Sequence, residues 1–220
     1  ADMVRLVSYD FGRIVSGHVE LDLEAPSGTV VDLFYREIRH DPSVPSPLST
    51  PRTGARYTAR GHDDAFRALE INGIRYVHLL VHGPDAADVV ITSLRVREHH
   101  YPWSGQADFR SSDAEIDALY RAGIRTVAMY SSDALTDCPT REQRAWVGDS
   151  VVHQMVHLTT NADWRLARQA TALGNSPRYD GILPMSVVGE IEYGASVTIP
   201  DWALHWVHGV HNLYRYLGDV

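Results

Sequence analysis

Apolar and polar residues alternate along the N-terminal part of the chain. Val19, Leu21 and Leu23 are interleaved with His18, Glu20, Asp22 and Glu24, the period-2 mark of a strand with one buried face. Ala25-Pro26-Ser27-Gly28 is turn chemistry, and Val30-Val31-Asp32-Leu33-Phe34-Tyr35 restarts a strand. Residues 41–54 hold four of the eleven prolines and several Ser and Thr, which predicts a long loop. Strand signals return over 75–81 and 89–96, on either side of the turn at Gly83-Pro84-Asp85. Several short strands punctuated by turns predict an antiparallel β-sandwich, residues 1–104.

From Ser111 the period changes. Ser112-Asp113-Ala114-Glu115 supplies an N-cap followed by a first-turn acid, as the positive end of a helix dipole favours. Ile116, Leu119, Tyr120, Gly123, Ile124, Val127, Ala128 and Ser131 then follow helical spacing, and Pro139 is read as the end of that helix. Further helices are predicted at 149–160, 163–174 and 200–217, the last opening with Pro200-Asp201-Trp202. Residues 175–199 form a long Gly- and Pro-containing connection, of the kind that is often functional. A β half followed by an α half divides the chain at 1–104 and 105–220, with the seam near Tyr101-Pro102-Trp103-Ser104-Gly105.

Composition narrows the classes. The 220 residues are 44% hydrophobic and 22% charged, as in ordinary globular proteins. No apolar run approaches the roughly 18 residues of a membrane span, so no membrane partner is expected. A net charge of −8 argues against nucleic acid, whose phosphates call for a basic stripe. The single cysteine, Cys138, rules out an intrachain disulfide, and nothing requires an oxidising compartment. The chain opens on Ala1-Asp2 without a signal-peptide layout and stops directly after a helical pattern, which fits either a processed chain that is otherwise complete or a piece of a longer protein.

The densest chemistry lies in Asp137-Cys138-Pro139-Thr140-Arg141-Glu142-Gln143-Arg144-Ala145-Trp146-Val147-Gly148-Asp149. Three carboxylates, two guanidinium groups and an indole share one connection between helices. Neighbouring carboxylates raise one another's pKa while arginines hold others ionised, a division that suits glycosidic bond cleavage. The same composition also suits an exposed charged loop, with Glu142 and Arg144 as surface ions.

This run resembles the catalytic signature of the α-L-rhamnosidases of glycoside hydrolase family 78. Tyr9-Asp10-Phe11-Gly12-Arg13-Ile14-Val15-Ser16-Gly17, Tyr57-Thr58-Ala59-Arg60-Gly61 and Gly73-Ile74-Arg75-Tyr76-Val77 are similar, in order, to the β-sandwich that precedes the catalytic domain of that family. The resemblance implies an α+β multidomain protein, with an antiparallel β-sandwich followed by the first helices of an incomplete (α/α)6 barrel. It implies hydrolysis of terminal α-L-rhamnosyl groups with inversion, without a cofactor or metal, on a rhamnose-containing glycoside or polysaccharide. A homo-oligomer is compatible with it.

By position, the resemblance makes Glu142 the general acid; some members carry a second acid where this chain has Gln143. Asp137 and Asp149 would hold sugar hydroxyls and shape the field around that acid. Arg141 would bind sugar or fix a carboxylate. Trp146 would pack on the apolar face and methyl group of a 6-deoxy sugar, and Trp202 matches a second aromatic position. Both indoles could equally serve as core residues. An inverting hydrolase also needs a second carboxylate roughly 6.5–9.5 Å from the acid. In the family that base is a Glu far downstream of position 220, and nothing in the resemblance promotes Glu190 or Glu192 to the role. The isolated chain is therefore expected to be inactive.

Other readings compete. The β half could be a noncatalytic carbohydrate-binding or structural module, or the hydrolase could act on another sugar. His153 and His157 stand at the i, i+4 spacing of a zinc-protease helix, but Gln154 replaces the general-base Glu and no third ligand is indicated. His205, His208 and His211 step along the last helix and read as ordinary hydrogen-bonded histidines or as a helix face lining the cleft, and His99-His100 as solvated ones. Cys138 lacks the partnered histidine of a thiol enzyme, and no Gly-rich phosphate loop occurs.

Overall fold

The structure is a computed structural model that describes residues 3–39, 53–83, 85–105, 107–176, 178, 180–187 and 198–218. Most of the loop predicted at 41–54, together with Glu190 and Glu192, lies outside the described residues. The chain divides into two compact units, Ala1–His99 and His100–Val220.

The first unit is an antiparallel β-structure of six strands: β1 (Met3–Glu24), β2 (Val30–Arg36), β3 (Gly54–Thr58), β4 (Asp64–Arg67), β5 (Asn72–Gly83) and β6 (Val90–Glu98). The order is β3-β2-β5-β1-β4, and β6 also pairs with β1. The long β1 changes partners along its length. Met3 to Gly17 face β5, whereas Gly17 to Glu24 lie between β6 and β4. One strand shared in this way curls the sheet so that its inner faces meet in a sandwich-like core.

The change of partner is prepared by a bulge. Asp10 pairs with Tyr76 and Val15 with Ile74, so Phe11 to Ile14 stand opposite Arg75 alone. Gly12 adopts a positive φ of 75° there, and its N–H donates to Asp10 Oδ1 at 2.7 Å. Gly17 sits where the backbones close in: an added Cβ would lie 2.1 Å from the Arg97 carbonyl oxygen.

The alternation read from sequence has its structural counterpart. Val19, Leu21 and Leu23 are buried with Val31, Leu33, Tyr35, Ile74, Val77, Leu79 and Val81. On the other face of β1, Glu20 and Asp22 pair with Arg67 and Arg95, and Glu20 also with Arg97. The resemblance reaches β3 only at Tyr57 and Thr58, and neither pattern nor resemblance marks β4. β3 and β4 are short, and buried Asp64 ties them together by accepting from the Tyr57 hydroxyl at 2.6 Å and from the N–H groups of Arg60 and Gly61.

The second unit holds four described helices: α1 (Ala114–Met129), α2 (Val147–Thr160), α3 (Arg165–Gly174) and α4 (Pro200–Leu217). Asp113 caps α1 by accepting from the N–H of Glu115 at 2.8 Å. The helix ends at Met129, not at Pro139. Tyr130 closes it, and Ser131-Ser132-Asp133 begins a turn pinned by a bridge between Ser131 and Leu135. The Ser131 hydroxyl competes with the helix by bonding the Val127 carbonyl at 2.7 Å.

Helix α2 is the hub of this unit, packed against the other three. Its buried Gln154 donates to Thr171 Oγ1 on α3 at 2.7 Å and to the Gly209 carbonyl on α4 at 3.1 Å. Leu158, Ala167 and Leu213 form an apolar cluster beside it, with Trp164 and Leu217 packed on the rim.

Candidate active site

The loop from Asp137 to Asp149 runs into the N-terminus of α2, and its own side chains hold it in shape. Asp137 is the anchor: its N–H donates to the Arg144 carbonyl at 2.9 Å, and Arg144 N–H returns a bond to Asp137 Oδ1 at 2.9 Å. The Cys138 thiol donates to Asp137 Oδ2 at 2.9 Å, and the Glu142 N–H donates to Cys138 Sγ at 3.2 Å. Burial, reinforced by the Asp137 carboxylate, pushes the Cys138 thiol above its ordinary range. Cys138 thus bridges two carboxylate residues as a neutral thiol.

Glu142 stands at the turn of this loop. Trp146 Nε1–H donates to its Oε2 at 2.6 Å, and Arg141 Nη1 pairs with its Oε1. The arginine side chain is 74% exposed and the Glu142 carboxylate 27%, so the acid is partly sheltered while its cation reaches into solvent. The next residue, Gln143, has a φ of +54°, uncommon for a residue with a side chain, and its amide donates to the Pro139 carbonyl at 2.7 Å. That left-handed turn reverses the chain, letting the Trp146 indole reach back to the Glu142 carboxylate.

A partner segment clamps the loop. The Val147 N–H donates to the Met185 carbonyl at 2.9 Å, the Val187 N–H to the Ala145 carbonyl at 3.1 Å, and Trp146 bridges to Ser186. Nothing in the apolar pattern of 175–199 singles out Met185 to Val187 for this role.

Asp149 lies in the first turn of α2. Burial raises its pKa above the ordinary carboxylate value; its own backbone N–H opposes the rise, and the charges of Asp137 and Glu142 add to it. Gly148, just before it, is required by packing. A Cβ there would lie 2.4 Å from the Trp202 indole. Trp202 therefore covers the start of α2, stacked on His205 with ring centroids 5.6 Å apart, and the His205 ring nitrogen approaches the Gly148 carbonyl at 3.4 Å. The structure thus brings Asp137, Arg141, Glu142, Trp146, Asp149 and Trp202 to one loop and the helix end that it enters. His205 joins them, a residue that the sequence did not distinguish from its helix neighbours.

The paired histidines of α2 belong elsewhere. His157 is fully buried, its Nε2 is 2.8 Å from the Ser131 hydroxyl, its Nδ1 is 3.3 Å from Asn161 Nδ2, and Trp103 covers it at 4.4 Å. Burial lowers the pKa of both His153 and His157 to about 4. They are core groups of the helical unit, and among the described residues no cluster has the makings of a metal site.

The comparisons with known proteins decide the family. Residues 104–220 match the bacterial alpha-L-rhamnosidase 6 hairpin glycosidase domain, and residues 5–97 match the bacterial alpha-L-rhamnosidase concanavalin-like domain. The chain belongs to the bacterial α-L-rhamnosidase family. Its fold is shared with the GH78 family rhamnosidase of Bacillus sp. GL1 at a TM-score of 0.84 and 24% identity, over 98% of this chain and 22% of that one. A Klebsiella oxytoca rhamnosidase with rhamnose bound aligns at a TM-score of 0.80 and 17% identity, over 98% of this chain and 45% of that one. The Streptomyces avermitilis α-L-rhamnosidase complexed with L-rhamnose aligns at 0.70 and 20% identity, over 97% and 23% respectively. No curated protein matches the sequence. The chain thus spans less than half the length of each of these rhamnosidases.

Proposed function

We propose that the chain is the acid-bearing part of an inverting α-L-rhamnosidase, with the sandwich in residues 1–104 and the opening of the catalytic barrel in 105–220. The observation that carries this reading is the Glu142 carboxylate, gripped by Trp146 and Arg141 between the carboxylates of Asp137 and Asp149 in sequence. A terminal α-L-rhamnosyl group would sit against Trp146 and Trp202, its hydroxyls on Asp137 and Asp149. Glu142 in its protonated form would give its proton to the glycosidic oxygen as the bond from the anomeric carbon breaks. Water, deprotonated by a carboxylate outside this chain, would attack the opposite face and invert the centre. Arg141 now pairs with Glu142, which supports its role as the residue that fixes the carboxylate; the protonated acid requires that pair to open. Rhamnose-containing glycosides are the proposed substrates.

Proton NMR of the enzyme that contains this chain tests the stereochemistry. An aryl α-L-rhamnoside should release the β anomer of rhamnose first, and the 220-residue chain alone should release none. The α anomer appearing first contradicts inversion.

A further inference from the structure

The β unit carries a groove on the sheet face turned away from its core. Its volume is about 810 Å³, within the range of small-molecule sites. Three strands build it in register. Ser8, His78 and Phe34 form one row across β1, β5 and β2, and Asp10, Tyr76 and Arg36 form the next. The Tyr76 and His78 rings lie parallel, 4° apart in plane and 6.5 Å between centroids, with Phe34 39% exposed beside them.

The groove is also cationic, in a chain whose net charge is −8. Asp10 is neutralised by a two-pronged pair with Arg75, at 3.0 and 3.2 Å, and the Arg75 guanidinium sits 5.0 Å over the Tyr76 ring. Arg36 and Arg39 then leave the lining with two positive charges in excess. Arg36 is held in place through one nitrogen, which donates to the Tyr35 carbonyl at 3.1 Å and to Thr53 Oγ1 at 3.2 Å. Its planar fork is thus oriented before any ligand arrives.

We infer that this groove binds an anionic saccharide, a glycan segment bearing uronate carboxylates. The C–H faces of the sugar rings pack on Tyr76, His78 and Phe34, and the carboxylates meet Arg36 and Arg39. Charge complementarity selects this occupant over a neutral glycan. The inference stands apart from the acid loop and involves no bond cleavage.

Calorimetric titration of the 220-residue chain with trigalacturonate tests it, with neutral galactotriose as comparison at the same ionic strength. The expected result is saturable binding with a Kd below about 1 mM, and at least about tenfold weaker binding of galactotriose. Tyr76→Ala and Arg39→Glu should each weaken trigalacturonate by about tenfold. Arg39 is exposed, so this variant decides the matter should Tyr76→Ala fail to fold. No saturation, equal affinity for both trisaccharides, or binding that survives Arg39→Glu unchanged overturns the inference.

Discussion

The Trp146 indole N–H donates to Glu142 Oε2 at 2.6 Å, joining the residue that would stack on the sugar to the residue that would protonate it. An aromatic ring at position 146 can serve stacking alone, but only the indole also orients the acid. Trp146→Phe keeps the apolar face and removes the donor. A hydrogen bond to a charged group is worth about 1.5–3 kcal/mol. The variant should therefore lose roughly tenfold or more in kcat on an aryl rhamnoside, with KM changed by less than about threefold. Steady-state kinetics of the enzyme containing this chain measure both. A loss confined to KM would mean that Trp146 only binds.

Asp149 carries the opposite electrostatic signature to an ordinary surface carboxylate. Its folded-state pKa is raised above 3.8, first of all by burial. In the window between the unfolded and folded pKa the native state holds more protons, so stability falls as pH rises through that window. Below the window the penalty is absent. Asp149→Asn should raise the urea midpoint of the chain at pH 7 and leave it unchanged near pH 3. An unchanged midpoint at pH 7 contradicts the strained-carboxylate reading.

The buried histidines of α2 act at the acid side. His153 and His157 have folded-state values of about 4 against an ordinary 6.5. The unfolded chain therefore takes up protons that the folded chain refuses, and stability is lost as pH falls from about 6.5 to about 4. His153→Phe keeps a ring against Tyr130, whose centroid is 5.5 Å away, and should remove about one of the two protons taken up on unfolding. Urea unfolding at a series of pH values reads that slope directly.

Legibility followed periodicity. Val19, Leu21 and Leu23 declare a half-buried strand because alternation is local, and the Asp113 cap declares the start of α1 in the same way. β3 and β4 escape because a five- and a four-residue strand contain too few positions to show a period, and their stability rests on buried Asp64. Helix α1 ends well before the proline because a serine hydroxyl bonds its last turn, a competition that spacing does not display. The acid loop was readable as a concentration of charge, and by resemblance as a catalytic one. Its internal geometry was not. The left-handed Gln143, the thiol bridge through Cys138 and the clamp from Met185 to Val187 all depend on contacts that hydrophobic pattern does not encode.

The central assignment is Glu142 as the proton donor, and it is tested most directly by Glu142→Gln in the enzyme that contains this chain. A glutamine keeps the shape of the side chain but cannot supply the acidic proton. For an alkyl or sugar leaving group, kcat should fall by about 10²–10⁴ with KM nearly constant. For a dinitrophenyl rhamnoside, whose leaving group departs with little protonation, the loss should be far smaller. Near-normal turnover of the alkyl rhamnoside by Glu142→Gln contradicts the assignment.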